Sequence, residues 1–302
     1  MENNLSDKNE NKDRKGRGVS HSKIILMGEH SVVYGYPAIA IPLKNIRMEC
    51  IVERATVPFV HNKKDTLSTA IYTALNYLNR KNENIKYKVI SDIPPKRGMG
   101  SSAAVSIAAI RGVLDYFNTE VDNLTLEKLV NEAEIIAHNT PSGLDAKTCL
   151  SDSAIKFIKN KGFKNLEMNL GAYLLIADTG IHGHTRDAIM NIKNMRDRAI
   201  PMLEKLGKLT EETEKFIEEK DVLNIGKNMI SAHGELKKLG VSIEKSDVLV
   251  KTAIDEGAYG AKMSGGGLGG CIIALMESKE KAEMTGKKLM EKGAVNIWIE
   301  AL

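Results

Sequence analysis

The segment Pro94-Pro95-Lys96-Arg97-Gly98-Met99-Gly100-Ser101-Ser102, running into Ala103-Ala104-Val105-Ser106-Ile107-Ala108-Ala109-Ile110, constrains this chain most. Its first part is a loop, because prolines lack an N–H donor and glycines open the backbone to positive φ. Its second part is small and apolar enough for a buried helix. A helix entered this way presents N–H groups with no partner inside the helix, and its dipole favours negative charge. Such a place suits phosphate. The segment is not a Walker loop, which ends in Gly-Lys-Ser/Thr, nor a dinucleotide fingerprint, which needs Gly-x-Gly-x-x-Gly. An ordinary loop with a helix cap would also use these residues.

A chain of 302 residues holds one large domain or two of ordinary size. Its 43 basic and 39 acidic residues leave a net charge of +4, with no basic stripe interleaved with aromatics. With five Phe, eight Tyr and one Trp there is no stacking platform either, so nucleic acid is not the expected partner. The three cysteines, Cys50, Cys149 and Cys271, are too scattered for a disulfide framework or a zinc site, which predicts a reducing, cytoplasmic setting. No apolar run approaches the roughly 20 residues of a membrane helix, and the polar N-terminal residues do not form a signal peptide. His182-Gly183-His184 reads as a polar loop, since a metal would want further ligands.

Strand and helix signals mix along the chain without the regular alternation of a doubly wound sheet. The prediction is α+β: a disordered polar tail over 1–18, an N-terminal lobe over 19–165 and a C-terminal lobe over 166–302. Structure is expected to begin at Ser22, with strands at Ile24–Met27, Pro37–Ile41, Arg47–Val52, Lys86–Ile90, Ala154–Ile158, Leu166–Met168, Ala172–Ala177, Cys271–Leu275 and Val295–Ile299. Helices are expected over Thr66–Leu78, Ser101–Phe117, Thr125–His138, Val248–Glu256 and Lys279–Lys292, with a short one near Pro141-Ser142-Gly143. Residues 185–240 should be mostly helical.

Three further groups of residues carry chemistry. Lys23 stands at the head of an apolar strand, where it either snorkels outward or serves a site. Gly28-Glu29-His30 leaves that strand with two titratable groups beside a glycine, fit for a polar pocket or a surface turn. In the middle of the chain, Glu134 falls on the flank of an apolar face made by Leu126, Leu129, Val130, Ala133, Ile136 and Ala137. It is either an edge carboxylate or a hard oxygen ligand of the kind Mg²⁺ takes. Asp145 follows a Pro-Ser-Gly turn, where it either favours a helix dipole or sits beside a substrate hydroxyl. Last, Ala261-Lys262-Met263-Ser264-Gly265-Gly266-Gly267-Leu268-Gly269-Gly270 reads as a second glycine-rich loop. So many glycines directly before a buried strand are costly to order. They favour a backbone that approaches a ligand or the first loop over a plain tight turn.

In this order the segments resemble the three motifs of the GHMP kinases, the family of galactokinase, homoserine kinase, mevalonate kinase and phosphomevalonate kinase. The resemblance spans residues 20–302. Gly28-Glu29-His30-Ser31-Val32-Val33-Tyr34-Gly35 is most similar to the mevalonate branch. Galactokinases continue with Thr-Asp-Tyr, homoserine kinases lack the pattern, and phosphomevalonate kinases show Gly-Glu-Tyr. Asn139-Thr140-Pro141-Ser142-Gly143-Leu144-Asp145-Ala146 resembles the same branch. Asp178-Thr179-Gly180 with Gly183-His184-Thr185-Arg186 is similar to its bacterial members. The departures are Arg97 and Met99, where the family carries a small residue and Leu. Arg97 could add a phosphate contact or face solvent.

The resemblance implies a two-lobed fold, ribosomal-protein-like at the N-terminal side and ferredoxin-like at the C-terminal side. It implies ATP-dependent phosphorylation of the 5-hydroxyl of mevalonate to 5-phosphomevalonate. Gly98, Met99, Gly100, Ser101 and Ser102 would hold the ATP phosphates, and Ser102 and Glu134 would hold Mg²⁺. Asp145 would accept or orient the hydroxyl proton, and Lys23 would lower the hydroxyl pKa or neutralise developing charge. Glu29, His30 and Thr185 would lie near mevalonate. Neither nucleic acid nor membrane is implied as a partner, and a homodimer is left open.

Overall fold

The computed structural model describes residues 14–138 and 143–302. Most of the expected tail, residues 1–13, and the Asn139–Ser142 part of the middle motif lie outside the described residues. Strand β1 spans Lys15–Met27 and so begins well before Ser22. The cause is a buried face that hydropathy does not register. Gly16, Gly18 and Ser20 alternate inward, and side chains at the two glycines would collide with the backbone at Gly112, Tyr116 and Ala108. Ser20 Oγ donates to Ala104 O at 2.7 Å. Pro37–Ile41 and Arg47–Val52, expected as two strands, form one strand β2, Ala38–Arg54. Pro42 falls between the stretch paired with β4 and the stretch paired with β3.

The chain divides into two compact units, each assembled from three segments. One contains the described residues through Ser22, Lys44–Ile93 and Gly100–Leu150. Here the second half of β2 pairs antiparallel with β3, Ile85–Ser91, from Met48↔Ser91 to Arg54↔Ile85. Helices α1 (Thr66–Tyr77), α2 (Ser101–Tyr116) and α3 (Asn123–His138) pack on one another, and α4 (Leu144–Leu150) rests on α2 and α3. Asp65 caps α1 by accepting from Ser68 N at 2.8 Å. The small, apolar faces of α2 bury Ala103, Ala104, Ile107, Ala108 and Ile110. On α3, Ile136 turns outward instead of joining the apolar face.

The other unit contains Lys23–Leu43, Pro94–Met99 and Ser151–Leu302. Ala38–Ala40 of β2 pair with β4 (Ala154–Ile158), which forms a hairpin with β5 (Gly162–Leu166). A four-stranded antiparallel sheet takes the order β7-β8-β6-β9 from β6 (Tyr173–Asp178), β7 (Gly260–Ser264), β8 (Cys271–Met276) and β9 (Asn296–Ala301). With helix α9 (Lys279–Glu291) between β8 and β9, this is the ferredoxin-like order, and a helical region stands between β6 and β7. That region holds α5 (Thr185–Met195), α6 (Ile200–Glu218), α7 (Val222–Lys238) and α8 (Glu244–Asp255). Leu249 and Ala253 of α8 and Ala282 and Leu289 of α9 join Leu175, Ile272 and Ala274 in the core beneath the sheet. Every residue of β7 is buried, so Ala261–Ser264, expected within a loop, is a core strand, and the glycine loop is confined to Gly265–Gly270.

Candidate active site

In the first unit, α2 is entered through Gly100, which is left-handed at φ 72° and has no side chain to cap the helix. Ser102 and Ser106, one turn apart, point to the same face. Each hydroxyl donates to Glu134 Oε1 at 3.0 Å. Glu134 is 6% exposed, so its flank position aims it inward at α2 and not at the solvent edge. The donor set fits Mg²⁺. Adjacent ligands of an octahedral ion with bonds of 2.0–2.1 Å lie about 2.9 Å apart, close to the Ser102–Glu134 spacing. The ion also needs only one or two protein oxygens, so it does not require the three-residue acidic cluster that is absent among the described residues. Asp145 lies in the first turn of α4 and is half-buried.

The second unit gathers the other candidates. Lys23 is 2% exposed, so it does not snorkel outward, and its backbone N–H donates to Met99 O at 3.2 Å. Downstream the chain turns sharply. Gly28 has φ 96°, and a side chain there would strike Pro37 and Ala38. His30 sits at φ 62°, a costly conformation for a non-glycine residue that something must hold in place. Its ring is buried with no hydrogen-bond partner for Nε2 among the described residues, and burial pushes its pKa down to about 4, so it is neutral near pH 7. Glu29 is fully buried and pairs with Lys262, whose ammonium also donates to Met263 O at 2.8 Å. Burial lifts the Glu29 carboxyl pKa and lowers that of Lys262, each partly offset by the other. Glu29 Oε2 has no hydrogen-bond partner among the described residues.

The two glycine-rich loops meet in this unit. A side chain at Gly265 would lie 2.8 Å from Gly98 Cα, and one at Gly267 would lie 3.2 Å from His30 Nε2. Thr185 opens α5 beside Gly266. The close approach expected of the second loop is therefore made to the first. Arg97 neither faces solvent nor points away as a free phosphate contact. Its Nε lies 2.7 Å from Asp178 Oδ1, its Nη1 contacts His182 Nδ1 at 2.8 Å, and its Nη2 donates to Gly180 O at 3.1 Å. Backbone bonds from Gly183 N to Lys96 O and from His184 N to Gly267 O complete the tie.

Sequence reasoning missed two partners. Asp178 ends an apolar strand and had no visible use beyond a motif. Lys262 was hidden by the glycines after it, although a lysine between Ala261 and Met263 just before a core strand is itself a signal for a buried charge.

The GHMP kinases N terminal domain matches residues 68–152, and the GHMP kinases C terminal domain matches residues 213–293. The chain belongs to the GHMP kinases. Mevalonate kinases are among its relatives there. That of Pyrococcus furiosus is 32% identical over 306 residues, covering 89% of this chain and 91% of its own. Among solved structures, the mevalonate kinase of methicillin-resistant Staphylococcus aureus MRSA252 is 29% identical with a TM-score of 0.78, covering 96% of this chain and 99% of that one. The L. major enzyme in complex with R-mevalonate shares the fold at a TM-score of 0.84 and 24% identity, with 94% of each chain covered.

Proposed function

We propose that the chain transfers the γ-phosphoryl group of ATP to the 5-hydroxyl of mevalonate. The observation that carries this reading is the part-buried Ser102–Glu134 pair at the head of a helix opened by left-handed glycines, in a chain related along most of its length to mevalonate kinases. Phosphoryl transfer asks for positioning and charge neutralisation more than covalent chemistry. Backbone N–H groups from Gly98 to Ser102 bind the phosphates, and Ser102 and Glu134 would hold Mg²⁺, which would supply neutralisation of the phosphate charge. A carboxylate is too weak a base to deprotonate an alcohol in the ground state. Asp145 therefore takes the proton late, as charge develops, while Lys23 supplies positive field to the oxygen. Glu29, His30 and Thr185 orient the acceptor.

The test is ADP release from purified protein with Mg²⁺ and ATP, offered mevalonate, phosphomevalonate, galactose or homoserine. Mevalonate should give the highest kcat/KM. A higher value on another acceptor refutes the assignment, and ligand binding without turnover on the whole panel would make the chain a sensor.

A further inference from the structure

Lys262 is among the largest fully buried side chains of the protein, and Glu29, its partner, is equally enclosed. Removing two charges from water is costly, and a buried pair of this kind is weak evidence for stability. Its placement points elsewhere. Glu29 adjoins His30, and Lys262 is two residues from Ser264, whose hydroxyl donates to Ile25 O at 2.7 Å. From Ser264 the chain enters the glycine loop that touches Gly98 and His30. Only one Glu29 oxygen is used by Lys262. The other, and His30 Nε2, are buried polar atoms without partners among the described residues, which is a cost unless something binds them.

We propose that Lys262 is a positioning residue for an anionic acceptor: it holds Glu29 with one oxygen engaged and cancels its charge, so that a carboxylate-bearing alcohol can bind beside His30. This rests on the acceptor reading above. Without Lys262 the Glu29 carboxyl, its pKa already lifted by burial, is uncompensated: where ionised it opposes an incoming carboxylate, and in either state it loses the tie to the strand that precedes the glycine loop. The pair as a whole is neutral, so the neighbourhood admits an anion.

The experiment compares wild type, Lys262→Met, Glu29→Gln and the double variant, with folding monitored by circular dichroism and thermal melting. Lys262→Met should raise the KM for mevalonate at least tenfold and leave the KM for ATP within about twofold. Glu29→Gln should itself raise the mevalonate KM, and adding Lys262→Met to it should raise that KM little further, because Lys262 acts through Glu29. The methyl ester of mevalonate, which keeps the 5-hydroxyl but not the charge, should be much less affected by Lys262→Met than the acid. Equal losses for acid and ester, a Lys262→Met effect undiminished in the Glu29→Gln background, or a matching rise in the KM for ATP would each overturn the proposal. The wild-type panel separates the two readings. Preference for an anionic acceptor other than mevalonate refutes the substrate assignment only, and the same variants are then read on that acceptor. Preference for a neutral acceptor refutes both.

Discussion

Arg97→Ala tests whether the phosphate loop is held by the side chain that departs from the family pattern. Arg97 and Asp178 have side chains 11% and 4% exposed, so their pair is largely shielded from water. Breaking one partner of a buried pair typically costs 3–5 kcal/mol, because a charge is left without compensation. Here the loss should be smaller, about 2–3 kcal/mol, since Asp178 Oδ1 still accepts from Gly180 N at 2.8 Å. Asp178→Asn should cost about 1–2 kcal/mol, as the guanidinium keeps Gly180 O and His182. The double variant should then be less destabilised than the sum by about 1–2 kcal/mol, beyond the ~0.5 kcal/mol scatter of independent sites. The loop itself stays partly tied by its backbone bonds, so misplacement is modest, and the KM for ATP should rise about tenfold with the acceptor KM nearly unchanged. Urea unfolding of the four proteins and steady-state kinetics supply the readouts. Additive destabilisation within the scatter, or an unaltered KM for ATP in Arg97→Ala, would refute the clamp.

Glu134→Gln keeps an oxygen for Ser102 and Ser106 but removes the charge, so activity should require about tenfold or more free Mg²⁺; an unchanged Mg²⁺ titration counts against the metal assignment. Asp145→Asn should lower kcat by about 10²–10⁴ and bind ATP normally by calorimetry, whereas lost ATP binding would place Asp145 in another role. His30 titrates at about 4 when folded, below its ordinary 6.5, so between those values the unfolded chain binds more protons and stability falls as pH falls. Its share lost between pH 7 and pH 5 is about 2 kcal/mol. His30→Asn, which tolerates the left-handed backbone, should remove that loss from urea unfolding curves, and equal acid sensitivity in both proteins would contradict it.

Much of the site was legible because its residues advertise themselves locally. Gly98, Gly100 and the serines mark a helix entry by composition, and Glu134 sits where helical spacing turns it toward α2. What stayed hidden depends on partners remote in sequence. Gly16 and Gly18 lie in a strand because α2 leaves no room for side chains, which no hydropathy pattern records. Arg97 finds its carboxylate in Asp178, remote in sequence, whereas phosphate and solvent are the partners its local context suggests. Lys262 read as part of a loop because the glycines that follow it dominate composition, while burial on both faces of β7 is set by helices elsewhere in the chain.

The interleaving of the two units has a consequence for synthesis. Lys262 is 233 residues beyond Glu29, in the third segment of a unit whose first segment is Lys23–Leu43. At 5–20 residues per second, on the order of 10–50 s pass between translation of the two partners. Throughout that interval Ile24–Met27 and the Glu29 carboxyl belong to a unit that lacks its main sheet. The nascent chain therefore offers a hydrophobic, strand-forming segment to chaperones for far longer than a protein with contiguous domains would. Ribosomes that stall before residue 262 release products unable to neutralise Glu29, and such products are expected to be cleared by proteases.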